Sequence, residues 1–424
     1  MNNATSTNSI AKDSAMISIP RIFTALLSLT VFLFLLSCDQ VATPAGITSY
    51  SFARVRNSAN LADQGSLELS GAQESTAAIV ANRPMVFVAG LTDHGISVLE
   101  VASNGALSSL YNLPDDNTNR HLRSPYALDT AQIGDTTYLF TTSFAEDAVN
   151  SYEVASNGTL TLRGSAVDGG ALELDGAYAL TTASVGDKTF VFVAGNEDDG
   201  ISSFEVATNG SLTSRSNVSD TSSTNLESPR SLITAQVDNR TFLAVASDLD
   251  DGISIYEVSS TGALTNRDNV KDIGGGVNYR FNGSYALASA QIQDKTYIFV
   301  GGFDDDGITV FELSSTGILT FRSSLDDSQN SQYQLDGLQG LSVVQLRGKT
   351  FLSAVSFNDS GMSLFEVDDL GQLENVANIS DSQNGDYLLR AATSVSSLVT
   401  NNRAYLFITG SLDSGISAFE AQLE

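Results

Sequence analysis

From about residue 46 onward, apolar and polar positions alternate with the two-residue period of β-strands, and no run there repeats with the 3.6-residue period of an amphipathic helix. The alternation comes in units. Each unit holds an apolar run, an acidic turn closing on Gly, a strand ending in Glu, and a Gly turn before another strand. It reads VFVAGLTDHGISVLEVASNGAL over 86–107 and VFVAGNEDDGISSFEVATNGSL over 191–212, with further copies starting at residues 243, 298, 352 and 406. A degenerate copy, LFTTSFAEDAVNSYEVASNGTL, starts at Leu139. The turn markers stand at Gly95, Ala148, Gly200, Gly252, Gly307, Gly361 and Gly415, a spacing of about 53 residues.

In the third unit the pattern predicts four strands, A to D, at 177–185, 188–195, 200–207 and 211–218. Four antiparallel strands repeated radially make a β-propeller blade, and seven blades fall within the range of such rings. The seventh unit stops after its C strand, and a spare strand precedes the first unit, where 50–80 aligns with 159–185 and SLELSGA matches ALELDGA. The expectation is an all-β, seven-bladed propeller over 46–424. An N-terminal strand at about 48–55 completes the last blade by pairing with 415–421, which removes exposed sheet edges.

Ahead of the repeats, residues 22–36 (IFTALLSLTVFLFLL) carry no charge and end at Ser37-Cys38. The run is shorter than the roughly 20 apolar residues of a spanning helix and has the form of a signal-peptide core. Leu35-Leu36-Ser37-Cys38 resembles the bacterial lipobox, whose Cys receives fatty-acyl chains of the palmitate kind and becomes the first residue after cleavage. That resemblance implies a lipoprotein signal peptide at 1–37, starting at Met1 or Met16, and a lipidated Cys38 with a short linker to residue 45. It also implies a lipid-anchored address in the bacterial cell envelope, on the periplasmic or cell-surface side. Membrane lipid is then a partner through Cys38, each buried CH₂ contributing ~0.8 kcal/mol. Asp39 resembles the inner-membrane retention signal of enteric lipoproteins.

Composition narrows the chemistry. Forty-nine acidic against 21 basic residues leave a formal charge of -28, which excludes nucleic acid as a partner. One Cys and two His provide neither an internal disulfide nor a thiolate metal site. No GxSxG elbow, HExxH, P-loop or dinucleotide fingerprint occurs.

The repeated text FVAGxxDDGISxFEVxxxGxLT is similar to the lactonase-type seven-bladed propeller family, which includes bacterial 6-phosphogluconolactonase and fungal carboxymuconate-lactonizing enzymes. The resemblance implies the fold and, as one function, a lactonase or cycloisomerase acting on a sugar or muconate lactone at the central mouth. Activity in those enzymes depends on individual His, Arg and Glu residues around the cleft, and no motif here carries them over. The DDG turns depart from the enzymes and look like secreted members of the family. The leading expectation is therefore a noncatalytic binding or interaction module with an acidic face, recognising an envelope protein or a small polar ligand. A structural envelope scaffold is the third reading.

In a propeller the D-to-A and B-to-C connections share the top face, and the A-to-B and C-to-D turns share the bottom. This sorting puts Asp93, Asp147, Asp198, Asp199, Asp250, Asp251, Asp305, Asp306, Asp359 and Asp413 on top. A second top set follows the D strands: Asp63, Asp116, Asp168, Asp220, Asp272, Asp327 and Asp381. Two readings of these acids compete. Asp198, Asp199, Asp250, Asp251, Asp305 and Asp306 could contribute oxygens to Ca²⁺, the one cofactor the sequence suggests. Alternatively, Asp and Gly simply make tight turns through Asx bonding. Ala148 in place of Gly points to a different turn in the second blade.

On the bottom, Arg83, Lys188, Arg240, Lys295, Lys349 and Arg403 reduce the acidity. Glu100, Glu153, Glu205, Glu257, Glu312, Glu366 and Glu420 close the C strands, and Arg54, Arg163, Arg215, Arg267 and Arg322 on D strands can pair with them. The position opening each innermost strand reads Gln73, Tyr126, Tyr178, Arg230, Tyr285, Gln339 and Thr393, a set suited to a polar or anionic small molecule at the channel mouth. Arg230 and His121, the latter expected near the mouth between Arg120 and Arg123, are the catalytic candidates. His94 is expected to be a turn residue.

Overall fold

The computed structural model describes residues 52–423 apart from 117, 119 and 273–278; the signal peptide, Cys38 and the linker lie outside the described residues. Those residues form seven four-stranded antiparallel sheets. In the third, the strands run Ala177–Val185, Lys188–Gly195, Gly200–Val206 and Leu212–Ser219, within a residue of the expected bounds. The A strands of successive blades contact one another around the whole ring, the first touching the seventh. Among the described residues no helix is long and apolar enough to cross a membrane.

Burial follows the layers. The B strands are buried on both faces by neighbouring blades, which is why they read as continuous apolar runs and not as alternating ones. The outer D strand Leu264–Lys271 alternates strictly between half-buried and exposed positions. Apolar clusters lie between blades: Phe190 and Phe192 pack with Leu243, Val245 and Tyr256 of the next sheet. The C-to-D turn seals each seam from below. Gly262 sits there at φ +81°, where a Cβ would come within 2.5 Å of Phe190, and its carbonyl accepts the Ser203 hydroxyl at 2.8 Å.

The N-terminal strand Phe52–Ala62 closes the ring against the last C strand, pairing Ala62 with Gly415, Asn57 with Phe419 and Phe52 with Leu423. The partner is the expected one, but the strand runs later than 48–55. Two asparagines break the alternation by which the sequence was read. Asn57 and Asn60 bond each other at 2.8 Å, and the Asn57 amide donates to the Ala418 carbonyl at 3.2 Å. The same offset removes Arg54 from the ion-pair set. Every D strand carries a bulged residue at one shared place: Arg163, Arg215, Arg267 and Arg322 hold it in four blades, Leu110 and Val376 in two, and Ser58 in the closing strand. Arg54 instead donates to the Gln422 side chain at 3.1 Å.

The top-face acids latch the blades together. The first acid of each B-to-C turn accepts a backbone N–H from the incoming loop of its own blade, as in Asp175 to Asp198 at 2.8 Å and Glu227 to Asp250 at 2.9 Å. The second residue, in left-handed conformation, accepts an N–H from the loop of the next blade. Gly176 donates to Asp147 at 2.9 Å, Ser228 to Asp199 at 2.8 Å, Gly283 to Asp251 at 2.9 Å and Gly337 to Asp306 at 2.8 Å. Ser360 and Ser414 do the same with hydroxyls, and His94 with Nδ1 from Ser124 N–H at 3.1 Å, so His94 is a working member of the series. In the second blade a 3-10 turn at Phe144–Glu146 replaces the usual one, and Glu146 supplies the first acceptor. The set following the D strands donates its own backbone N–H to that left-handed residue, with Asp115, not Asp116, in the first blade.

This network gives the acids a role in the turns. Asp198, Asp199, Asp250, Asp251, Asp305 and Asp306 each accept a backbone N–H already, in pairs that belong to successive blades. Among the described residues no three acidic, His or Cys side chains converge to hold a metal ion. Asp251→Ala should leave the Gly283 N–H without its partner and cost about 1–3 kcal/mol, read as a lower Tm in thermal unfolding. Millimolar calcium and a chelator should give the same Tm.

On the bottom face the closing glutamates are paired as expected, and more heavily. Glu205 meets Lys188 at 2.9 Å and Arg215 at 2.8 Å, Glu312 meets Lys295 and Arg322, and Glu257 meets Arg240 and Arg267. Arg83, Lys188, Arg240, Lys295, Lys349 and Arg403 thus each reach back to the strand end. Hydrogen bonds from Arg240 and then Arg267 hold the Glu257 carboxyl down to about 2, below its ordinary 4.5. Because the folded value is the lower one, the pairing stabilises the fold above about pH 4.5 and loses its effect as pH falls toward 2. Glu257→Gln should therefore lower Tm at pH 7, with the gap to wild type closing near pH 2.

Candidate functional site

A single local device builds the mouth of the central channel. Each D-to-A loop ends on a left-handed residue (Gly71, Ser124, Gly176, Ser228, Gly283, Gly337, Ala391), the residue whose N–H the neighbouring latch holds. One position later the A strand begins, and its second residue is skipped by the pairing with strand B. In the third blade Ala177 pairs with Gly195 and Ala179 with Ala194, which leaves Tyr178 as the bulge; the fourth leaves Arg230 and the fifth Tyr285 in the same way. A bulge re-aims its side chain, and seven of them around an axis aim at one place. Gln73, Tyr126, Tyr178, Arg230, Tyr285, Gln339 and Thr393 all line one cavity of about 160 Å³.

The lining is two-sided. Blades two to five contribute aromatic rings and a cation. The Tyr126 and Tyr178 rings lie 3.9 Å apart with their hydroxyls 2.7 Å apart, and the Tyr178 hydroxyl continues the chain to that of Tyr285. The Arg230 guanidinium lies over Tyr178 at 4.7 Å and Tyr285 at 5.4 Å, and its Nε bonds Asp248 at 3.3 Å. Such stacking is worth about 0.5–2 kcal/mol and fixes the cation in place. Burial raises the Tyr126 and Tyr178 hydroxyls above the ordinary phenol range, so they stay protonated and act as hydrogen-bond groups.

Blades six, seven and one contribute amides, hydroxyls and a carboxyl. Thr393 is turned into the wall, its hydroxyl donating to the Ala72 carbonyl at 3.2 Å, so it is a weaker ligand candidate than its position promised. Glu74, next to Gln73, lines the cavity and accepts the Ser394 hydroxyl at 3.0 Å. Burial, reinforced by the charge of Asp129 and opposed by the Ser394 bond, raises its carboxyl to about 7. Asp129, on the second A strand, is enclosed and held by the Thr182 N–H at 2.8 Å and the Thr182 hydroxyl at 2.9 Å, tying that strand to the third.

Glu74 and Asp129 were missed in the sequence, although a signal existed: each is an acid inside an innermost strand where most copies have Ala, Ser or Thr. His121 moves the other way. Its carbonyl accepts the Asn150 side chain at 2.7 Å, which holds the loop over the third strand of its blade, and His121 is not among the residues lining the cavity. His121 is thus held in its loop and does not join Arg230 among the residues lining the cavity.

Glu74 makes a measurable signature. With its folded value above its ordinary 4.5, it favours the fold below about pH 4.5 and progressively disfavours it as pH rises toward 7. Glu74→Gln should flatten that slope and raise stability at pH 8 by on the order of 2 kcal/mol, seen as a higher Tm than wild type there and little difference at pH 4.

No family model matches this chain, and no curated protein matches it in sequence. Solved structures do. A periplasmic gluconolactonase from Pseudomonas aeruginosa is 16% identical with a TM-score of 0.56, over 73% of this chain and 85% of that one. A presumed 6-phosphogluconolactonase from Bacteroides fragilis is 16% identical with a TM-score of 0.54, over 73% of this chain and 84% of that one. A protein from Lactobacillus plantarum is 16% identical with a TM-score of 0.55, over 76% of this chain and 86% of that one. At this identity the likeness is one of fold: the chain is a seven-bladed β-propeller of the architecture found in those gluconolactonase-named proteins.

Proposed function

We propose that this chain is a lipid-anchored, extracytoplasmic propeller that binds a small, neutral, hydroxyl-rich molecule in the central cavity. The observation that carries the reading is the convergence of the bulged residues on one cavity with aromatic and cationic groups on one side and amides and a carboxyl on the other. A cavity of about 160 Å³ compares with the ~150 Å³ that admits benzene in an engineered core, so a single ring is the fitting size. Tyrosine hydroxyls and amides match ring hydroxyls, and an aromatic face matches the apolar face of a pyranose. The acidic rim disfavours an anion on approach, which narrows the earlier expectation of a polar or anionic ligand to a neutral one.

Turnover is the second reading, and Glu74 is the observation favouring it: a carboxyl near 7 beside the cavity is suited to act as a general base on a bound lactone. The names of the structural neighbours give that reading its substrate class. Anchoring rests on the Cys38 resemblance, and the scaffold reading would leave the cavity without a ligand.

Titrating sugar lactones and the matching pyranoses, followed by calorimetry and tyrosine fluorescence in this Trp-free chain, should give saturable binding to wild type. Arg230→Ala should weaken it at least tenfold, about 1.4 kcal/mol. Absence of binding, or binding indifferent to that variant, would overturn the reading, and ring opening that disappears in Glu74→Gln would make the protein an enzyme. Cys38→Ser should abolish acyl mass and move the protein out of the membrane fraction.

A further inference from the structure

We infer that the anchored chain stands on the membrane on its bottom face, with the acidic, cavity-bearing face directed away from the lipid; this rests on the lipoprotein reading above. The direction of the closing strand supplies the first argument. Phe52 pairs with Leu423 at the end of the sheet where Ala404 meets Ala421, beside the A-to-B turn. Ala62 pairs with Gly415 at the opposite end, beside the latch, where the Asp63 N–H reaches the Ser414 carbonyl. The chain thus enters the described body at the bottom rim and climbs to the top. Cys38 precedes that rim by the residues 39–51, which span at most about 45 Å when fully extended.

A tether of that reach exceeds the ~26 Å height of an eight-residue strand and does not by itself forbid tipping. Charge then decides. On the bottom, the strand-closing carboxylates Glu205, Glu257 and Glu312 each meet two cations and Glu100, Glu153, Glu366 and Glu420 one each, which balances the charge of that ring of acids. The top acids differ in kind. The latch carboxylates accept backbone N–H groups, which carry no net charge, so their negative charge remains except where Lys271 meets Asp250 and Arg390 meets Asp413. An anionic leaflet attracts basic residues at its surface and repels acidic ones. Within a Debye length of about 8 Å the penalty sums over many top carboxylates and over few on the bottom. The cavity mouth, on the top, is thereby left open to solutes.

Two exposed leucines make the orientation measurable. Leu249, 66% exposed, lies in a top turn, and Leu370, 62% exposed, lies in a bottom turn. In the acylated full-length protein, Leu249→Cys or Leu370→Cys would carry a fluorophore, on vesicles of phosphatidylglycerol and phosphatidylethanolamine with an acceptor dye on lipid. Energy transfer should be severalfold higher from position 370 than from 249, and raising salt to molar levels should narrow the gap. Equal transfer, or more from position 249, overturns the inference. Acyl mass on Cys38 and sedimentation with the vesicles report separately on the anchoring. If Cys38 carries no acyl chain, the same pair of labels is read with a hexahistidine segment ahead of Asp39 on nickel-chelating vesicles, so the orientation is decided either way.

Discussion

Everything in this molecule depends on the hydrogen-bonded pairing of Phe52–Ala62 with Gly415–Leu423. A blade is a small sheet with an apolar face on either side, and it is stable only between two neighbours. Seven blades in a row would leave the first and last each with an uncovered face and an open edge. Joining the two ends of the chain within one sheet turns the row into a ring, in which Tyr405 and Phe407 of the last blade pack against Val86 and Val88 of the first. The ring also creates the axis. Only with all innermost strands around one axis do side chains far apart in sequence, such as Gln73 and Tyr285, line the same space.

The latches explain how so acidic a chain folds at all. Net negative charge disfavours a compact state through self-repulsion, and the top face concentrates it. The latch carboxylates there are recruited as acceptors for backbone N–H groups that loops would otherwise leave unpaired, and a charge-assisted bond of this kind is stronger than a neutral one. The repulsion is therefore offset locally, residue by residue, while the charge stays available to the field around the molecule. The bottom face solves the same problem with cations. The two solutions give one fold two electrostatically different surfaces.

At the mouth the fold separates support from specificity. The bulge, the left-handed residue before it and the latch that holds that residue recur in every blade, whereas the bulged side chain itself varies. Arg230 shows the consequence: the backbone presents it, but its placement over Tyr178 and Tyr285 comes from residues on two other blades. Glu74 owes its altered carboxyl to enclosure and to Asp129 across a blade boundary, neither of which any local stretch contains.

The repeat and its period determined the number of blades, the strands within them and the positions that open each innermost strand, because β alternation and turn chemistry are local and are written in every copy. The Glu–Arg pairs were legible for the same reason, since both partners sit at fixed places in one unit. The closing strand was legible in its partner but not in its bounds, because Asn57 and Asn60 satisfy each other and Ala418 in a way that interrupts the pattern. The partners of the top acids, the hold on the His121 loop and the chemistry of Glu74 were decided by tertiary structure alone. Each depends on which blade lies next to which, and on how much water is left between them, and a chain read in order carries neither distance nor solvent.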